Sequence, residues 1–143
     1  RDLVVCNWDM ASAYRTLVIV EGWFDVIGFG PMAVNTLGAG MSAQHIKRIV
    51  RHYRKPGRSV VLMYDEDVLR KPKLKERIEE QARRLSLALP GKFLRVELPP
   101  DVDPGSLDRQ LNRALVEQQA ERAGVPVWWT RIPASENEGK ADE

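Results

Sequence analysis

The chain has 143 residues, a formal net charge of +2 and a hydrophobic fraction of 43%, which indicates one ordinary globular domain with its own core. It contains a single cysteine, Cys6, so an intrachain disulfide and a cysteine-based zinc site are excluded. No apolar run approaches the length of a membrane span and no signal peptide is visible, so we expect no membrane contact.

Strand-like and helix-like segments alternate along the chain. Apolar runs predict β-strands at residues 16–21, 33–37, 59–64 and 92–98. Helical spacing of apolar residues predicts helices at residues 23–29, 43–54, 72–89 and 106–122. Because the strand runs are continuous rather than alternating, they suit strands that are buried on both faces of a parallel sheet. The pattern predicts an α/β fold of three layers, in which helices cover both faces of a four-stranded, mainly parallel sheet.

The chain divides into a main domain and three flanking segments. Residues 16–124 are predicted to form the main domain. Residues 1–15 read as a lead-in from a preceding subdomain, since the chain starts with Arg1 rather than methionine and we interpret it as part of a longer protein. Residues 125–133, which contain two tryptophans, are predicted to dock against the body or against a missing neighbour. The acid-rich residues 134–143 are predicted to be a disordered tail.

Carboxylates follow three of the predicted strands. They are Glu21 with Asp25, Asp65 with Asp67, and Asp101 with Asp103. Parallel strands point the same way, so these acids are expected to converge on one edge of the sheet. Such a concentration of negative charge is unfavourable without a cation, and Mg²⁺ takes oxygen ligands while leaving room for water and phosphate. The alternative is that these acids are ordinary helix caps and surface residues.

Basic residues are concentrated in the middle of the chain. Of the 22 Lys and Arg residues, 13 lie between positions 47 and 84. This distribution fits a polyanionic partner such as a nucleic acid. A solvated helix face would give the same pattern, so charge alone leaves both interpretations open.

Four motifs, in this order, resemble a known family. They are VEGWFD at residues 20–25, TLGAGMS at residues 36–42, an apolar strand that ends in DED at residues 65–67, and Asp103-Pro104. Their order and spacing resemble the Toprim domain of DnaG-type primases from bacteria and phages. The resemblance extends over about residues 15–115 and implies a Toprim-like version of the three-layer fold.

The resemblance implies roles for individual residues. It makes Glu21 the candidate acid/base and a metal-facing residue, Asp65 and Asp67 the core ligands of Mg²⁺ or Mn²⁺, and Asp25 and Asp103 supporting metal-site acids. We take Glu21, Asp65 and Asp67 together as the catalytic set. Candidate contacts to nucleic-acid or nucleotide phosphate are Arg70, Lys71, Lys73, Lys47 and Arg51.

The implied activity is that of a DNA primase, which joins ribonucleoside triphosphates into RNA primers on a single-stranded DNA template during replication. The implied partners are that template, the nucleotides and a replicative helicase, and the implied location is the cytoplasm of a bacterial or phage-infected cell. The chain departs from the family pattern at Glu66, where the family has glycine, and at Gly105, where it has a second aspartate. These departures indicate a divergent, phage-like member.

Four other interpretations remain open. Topoisomerases and nucleases with a Toprim domain carry the same acids, although topoisomerases also need a tyrosine nucleophile. A phosphoacceptor receiver domain has strand-end acids too, but it needs adjacent acids after its first strand, where this chain has Glu21-Gly22. A non-catalytic module that binds nucleic acid or a partner protein is the last alternative.

Overall fold

The computed structural model describes residues 7–21, 23–35, 41–64, 70–98 and 108–137, and at residues 23–25 and 137 it describes the backbone alone. In chain order the elements are α1 (Trp8–Ala11), β1 (Thr16–Val20), α2 (Trp23–Phe29), β2 (Ala33–Asn35), α3 (Ala43–Tyr53), β3 (Ser59–Tyr64), α4 (Pro72–Ala88), β4 (Phe93–Glu97), α5 (Arg109–Ala123) and α6 (Ala134–Asn137).

The four described strands form one sheet in the order β2-β1-β3-β4, and every neighbouring pair is parallel. The register places Leu17 of β1 beside Val60 of β3, and Val61 of β3 beside Leu94 of β4. The predicted α/β fold is therefore confirmed. The sheet is parallel throughout, where the sequence predicted a mainly parallel one.

Successive side chains of the strands enter two separate cores, one on each face of the sheet. In β1, Leu17 and Ile19 pack on the face that α1, α3 and α4 cover, while Val18 and Val20 pack on the face that α2 and α5 cover. All residues of β1 are buried. Burial on both faces explains why the strand sequence is a continuous apolar run rather than an alternating one.

Short polar side chains fix where the helices begin. The Ser42 hydroxyl accepts from the His45 backbone N–H at 3.2 Å, and His45 Nδ1 accepts from the Ser42 N–H at 3.3 Å, which is a reciprocal capping arrangement. At α5 the Asp108 carboxylate accepts from the Leu111 N–H at 2.8 Å. That cap explains why α5 begins at Arg109, whereas the sequence pattern predicted a start at residue 106.

The segment after α5 docks against the body of the domain. The Trp128 backbone N–H donates to the Thr16 hydroxyl at 2.8 Å, and the Trp129 ring lies 5.5 Å from the Phe29 ring. Trp129 Nε1 also donates to the Glu117 carboxylate at 2.7 Å. These contacts hold Trp128 and Trp129 against the body of the domain.

The first part of the segment that was predicted to be a disordered tail is helical. Ala134–Asn137 form α6, and the Glu136 carboxylate lies 3.5 Å from the guanidinium of the buried Arg58. This contact gives the turn a fixed point on the body that the local sequence does not reveal. Residues 138–143 lie outside the described residues.

Candidate active site

The sheet has its topological switch point between β1 and β3. The chain leaves β1 through α2 toward β2 on one side, and it leaves β3 through α4 toward β4 on the other side. In open α/β sheets, ligands bind in the crevice that forms outside the carboxyl ends of the strands where the order reverses. The carboxyl ends of β1 and β3 are therefore the place to look for a site.

Glu21 lies at this crevice. It follows Val20, the last residue of β1, and it is half-buried. Ile19 pairs with Leu62 of β3, so Glu21 and Tyr64, the last residue of β3, each stand two residues beyond this pair on neighbouring parallel chains. Asp65 is the next residue in the sequence. The described strands thus place Glu21 near the end of β3, after which the sequence continues into the predicted metal ligands Asp65 and Asp67.

The other acids of the predicted site lie wholly or partly outside the described residues. Asp25 belongs to the first turn of α2, but its side chain is not among those described. Asp65, Asp67 and Asp103 are in the ranges 65–69 and 99–107, which fall outside as well. Within the described ranges alone, no three His, Cys, Asp or Glu residues form a group that could hold a metal ion. The five-acid metal site therefore stays a prediction.

Asn35, at the carboxyl end of β2, is a polar residue that the sequence patterns did not single out. It pairs with Val20 in the sheet register and its side chain is completely buried. Neither its amide oxygen nor its amide nitrogen has a hydrogen-bond partner among the described residues. Buried amides without partners are rare because each costs about 1–3 kcal/mol, and those that occur often mark a place for water or a ligand.

The available donors are chemically suited to magnesium. Glu21 supplies a hard carboxylate oxygen at the switch point, and the strand next to it ends in Asn35, whose amide has no hydrogen-bond partner among the described residues. Carboxylate and amide oxygens are ligands that Mg²⁺ and Ca²⁺ accept, whereas softer metals favour thiolate or imidazole. The residue types at this edge therefore fit the predicted cation.

A positive helix end lies next to the predicted metal-binding segment. α4 begins at Pro72 directly after Arg70 and Lys71, all three are exposed, and the first turn of the helix contains no acid. Lys73 is exposed in the same turn. The N-terminus of a helix carries a partial positive charge, so these cations add to it instead of neutralising it. The start of α4 is accordingly a favourable position for phosphate.

The two other predicted phosphate contacts lie away from this edge. Lys47 and Arg51 are exposed on α3, about 6 Å and 12 Å along the helix from Ala43 at a rise of about 1.5 Å per residue. Because α3 connects the carboxyl end of β2 to the start of β3, both positions recede from the crevice. The structure thus does not bring Lys47 and Arg51 together with Glu21.

A small cavity opens beside the carboxyl ends of β3 and β4. It has a volume of about 180 Å³ and is lined by residues that include Tyr64, Ile78 and Glu97. Pockets for whole small-molecule ligands usually measure about 300–1,000 Å³. This cavity alone is too small for a nucleoside triphosphate.

Gln81 is a second polar residue that the sequence patterns did not identify. Gln81 lies on the buried stripe of α4, and its amide nitrogen donates to the Met41 carbonyl at 2.9 Å. Met41 lies two residues before Ala43, the first residue of α3, so Gln81 holds the backbone just ahead of that helix. The sequence signal that could have identified Gln81 is its place among the apolar positions Ile78, Ala82 and Leu85.

Comparison with known proteins adds no relative: no family model matches the chain, and neither do any curated proteins or solved structures. Among the described helices, none is both long and apolar enough to cross a membrane.

Proposed function

We propose that this chain is the catalytic, metal-binding domain of a DNA primase of the Toprim type. In this proposal it carries out magnesium-dependent synthesis of RNA primers from ribonucleoside triphosphates on single-stranded DNA. It works in the cytoplasm of a bacterial or phage-infected cell, as part of a larger enzyme and beside a replicative helicase.

One observation carries the proposal: β1, which Glu21 follows, and β3, after which Asp65 is the next residue in the sequence, are adjacent parallel strands, so they end at the same edge of the sheet. This placement fits a shared site at the switch point, where α/β proteins bind their ligands. The order of the four sequence motifs adds the resemblance to the primase family.

In the proposed chemistry, the carboxylates bind the metal ion and the basic side chains bind phosphate. Glu21, Asp65 and Asp67 would hold Mg²⁺, with Asp25 and Asp103 as further acids, and the bound ion would neutralise charge on the triphosphate. Glu21 serves either as a metal ligand or as the group that accepts the proton of the attacking hydroxyl. Arg70, Lys71 and Lys73 hold phosphate at the start of α4, where the helix dipole assists them.

The direct test is incubation of the larger enzyme that contains this domain with primed or single-stranded DNA, ribonucleoside triphosphates and Mg²⁺ or Mn²⁺. We expect short, metal-dependent RNA products, and we expect Glu21→Gln to reduce them by at least about a hundredfold, the scale on which single groups act in catalysis. Unchanged thermal unfolding of the variant would show that the loss is catalytic.

Other products would identify the competing functions. Scission of the DNA would identify a nuclease, and a change of supercoiling in the intact enzyme would identify a topoisomerase. If Glu21→Gln and Asp65→Asn left both metal binding and activity unchanged in the full-length protein, the domain would be a non-catalytic binding module.

A further inference from the structure

The surface between α3 and α4 forms an open groove with an aliphatic floor. Ile46 and Val50 of α3 and Ala88 of α4 form this floor, and the groove has a volume of about 460 Å³. Val50 is half-buried and Ala88 is exposed, so apolar surface remains accessible there. We call this surface the α3–α4 groove.

Cations line both sides of the α3–α4 groove. Lys47 and Arg51 of α3 and Arg54, which caps the C-terminus of α3, stand along one side, and Arg84 of α4 stands on the other. The first three are spaced by four and three positions, so each is about one helical turn from the next and they form a row along α3 and its cap. Within the described part of the chain, Lys47 and Arg54 are not joined to a carboxylate by any salt bridge.

We propose that the α3–α4 groove docks an acidic amphipathic helix of a partner protein. Apolar side chains of that helix would cover Ile46, Val50 and Ala88, and its carboxylates would face Lys47, Arg51 and Arg54. The groove extends along α3 from Ala43, its first residue, to Arg54, its C-terminal cap, so it accommodates about three turns of helix, or about 16 Å.

The composition of the floor favours a peptide over nucleic acid. Surfaces that bind single-stranded nucleic acid combine cations with aromatic rings on which the bases stack. Among the described residues that line the α3–α4 groove there are aliphatic side chains and cations but no aromatic ring. Aliphatic floors between helices are instead typical of grooves that receive the apolar face of a helix. Binding of nucleic acid by Lys47 and Arg51, which the sequence analysis predicted, is thus the competing outcome of the binding test.

The test uses the 143-residue chain and labelled probes in fluorescence anisotropy titrations. The principal probe is a side-chain-stapled helix of about 14 residues, with leucine at i, i+3, i+7 spacing and glutamate elsewhere. A second peptide has serine in place of leucine, a third has lysine in place of glutamate, and the fourth probe is a short oligothymidylate. We expect the acidic leucine peptide to bind at least about tenfold more tightly than each of the others, and its affinity to fall as salt is added.

Two variants test the two parts of the groove separately. One changes the cations along its sides, which we call the rim, and the other changes its apolar floor. Lys47→Glu combined with Arg54→Glu reverses charge on the rim, and Ala88→Trp fills the floor from an exposed position where folding is not at risk. Each should weaken binding of the acidic leucine peptide by about tenfold or more. The matched control is Arg122→Glu, an exposed cation on α5, which should leave the affinity unchanged.

The proposal fails if the oligothymidylate binds more tightly than the peptide through the same rim residues, because the surface would then be a nucleic-acid site. It also fails if the serine peptide binds as well as the leucine peptide, or if Ala88→Trp has no effect, because the apolar floor would then play no part. Absence of binding by the acidic leucine peptide contradicts it outright. These outcomes are independent of whether the chain makes primers.

Discussion

At the scale of single residues, the described contacts of Asn35 do not offset the free-energy cost of removing its amide from water. Both of its amide atoms lack partners among the described residues, although the residue is fully buried at the end of β2. Asn112 on α5 is also fully buried, but its amide nitrogen donates to the Gly28 carbonyl at 2.7 Å. The pair allows a matched comparison of a buried amide with and without a hydrogen bond to the body.

We predict that Asn35→Val stabilises the protein. An apolar side chain suited to a strand would replace an amide whose desolvation costs about 1–3 kcal/mol, and the melting temperature should rise by several degrees. Asn112→Leu should lower it, because the substitution breaks an existing hydrogen bond. Thermal unfolding by circular dichroism gives both values. A loss of stability in Asn35→Val would mean that the amide is already satisfied.

The burial of Tyr53 makes the stability of the protein depend on pH. Its hydroxyl donates to the carbonyl oxygens of Ala11 at 3.3 Å and Tyr14 at 3.1 Å. Burial raises the pKa of Tyr53 well above its usual value near 10, and the positive charge of Arg58 only partly opposes this shift. The folded protein therefore keeps the proton that the unfolded chain loses above about pH 10.

From this difference we predict that the free energy of unfolding falls as the pH rises above about 10, by at most about 1.4 kcal/mol per pH unit from Tyr53 alone. Tyr53→Phe should lower stability by about 1–2 kcal/mol at neutral pH and should remove this part of the alkaline slope. Burial lowers the pKa of Lys92, which acts in the opposite direction in both proteins. Urea unfolding at several pH values isolates Tyr53, and parallel slopes in the two proteins would contradict the assignment.

At the scale of elements, the segment after α5 shows how a sequence without regular secondary structure is held in place. The Arg15 N–H donates to the Thr130 carbonyl at 2.9 Å, and the Ile132 N–H donates to the Ala13 carbonyl at 2.7 Å. The guanidinium of Arg113 stacks 5.8 Å from the centre of the Trp129 ring. The segment thus joins the lead-in before β1 to the face that α5 covers.

We predict that Trp129→Ala lowers the free energy of unfolding by about 2–3 kcal/mol, somewhat less than for a fully buried tryptophan. The substitution removes the ring contact with Phe29 and the hydrogen bond to Glu117. Trp128→Ala is the control, because the hydrogen bond at that position comes from its backbone. Equal losses from the two substitutions in urea unfolding would count against a specific anchoring role of Trp129.

The sequence predicted the elements that are determined by residues close together along the chain. The runs at β1 and β3 are apolar without interruption, which favours buried parallel strands wherever they occur. The docking of Trp129 and the burial of Asn35 depend on residues far away in the sequence, so local patterns could not predict them. For the candidate site, the position of Glu21 at a strand end follows from the sequence, whereas its adjacency to β3 follows from the strand order.

At the scale of the whole molecule, the proposed site depends on the order of the strands. Because β1 and β3 are neighbours, Glu21 and Tyr64, which immediately precedes Asp65 in the sequence, lie at the same edge of the sheet although they are far apart along the chain. The positive start of α4 lies next along the chain, whereas the residues of α4 that line the α3–α4 groove, Arg84 and Ala88, are in the last part of that helix. The proposed metal site and the proposed docking groove would therefore occupy different surfaces of the domain.

The most direct test of a metal site between Glu21 and Asp65 is a crystal structure of the chain grown with Mn²⁺, measured for anomalous scattering. We predict an anomalous peak at the carboxyl ends of β1 and β3, with carboxylate oxygens of Glu21 and of Asp65 or Asp67 about 2.0–2.6 Å from the ion. A crevice without such a peak at saturating Mn²⁺, or carboxylates of Glu21 and Asp65 too far apart to share one ion, would contradict it.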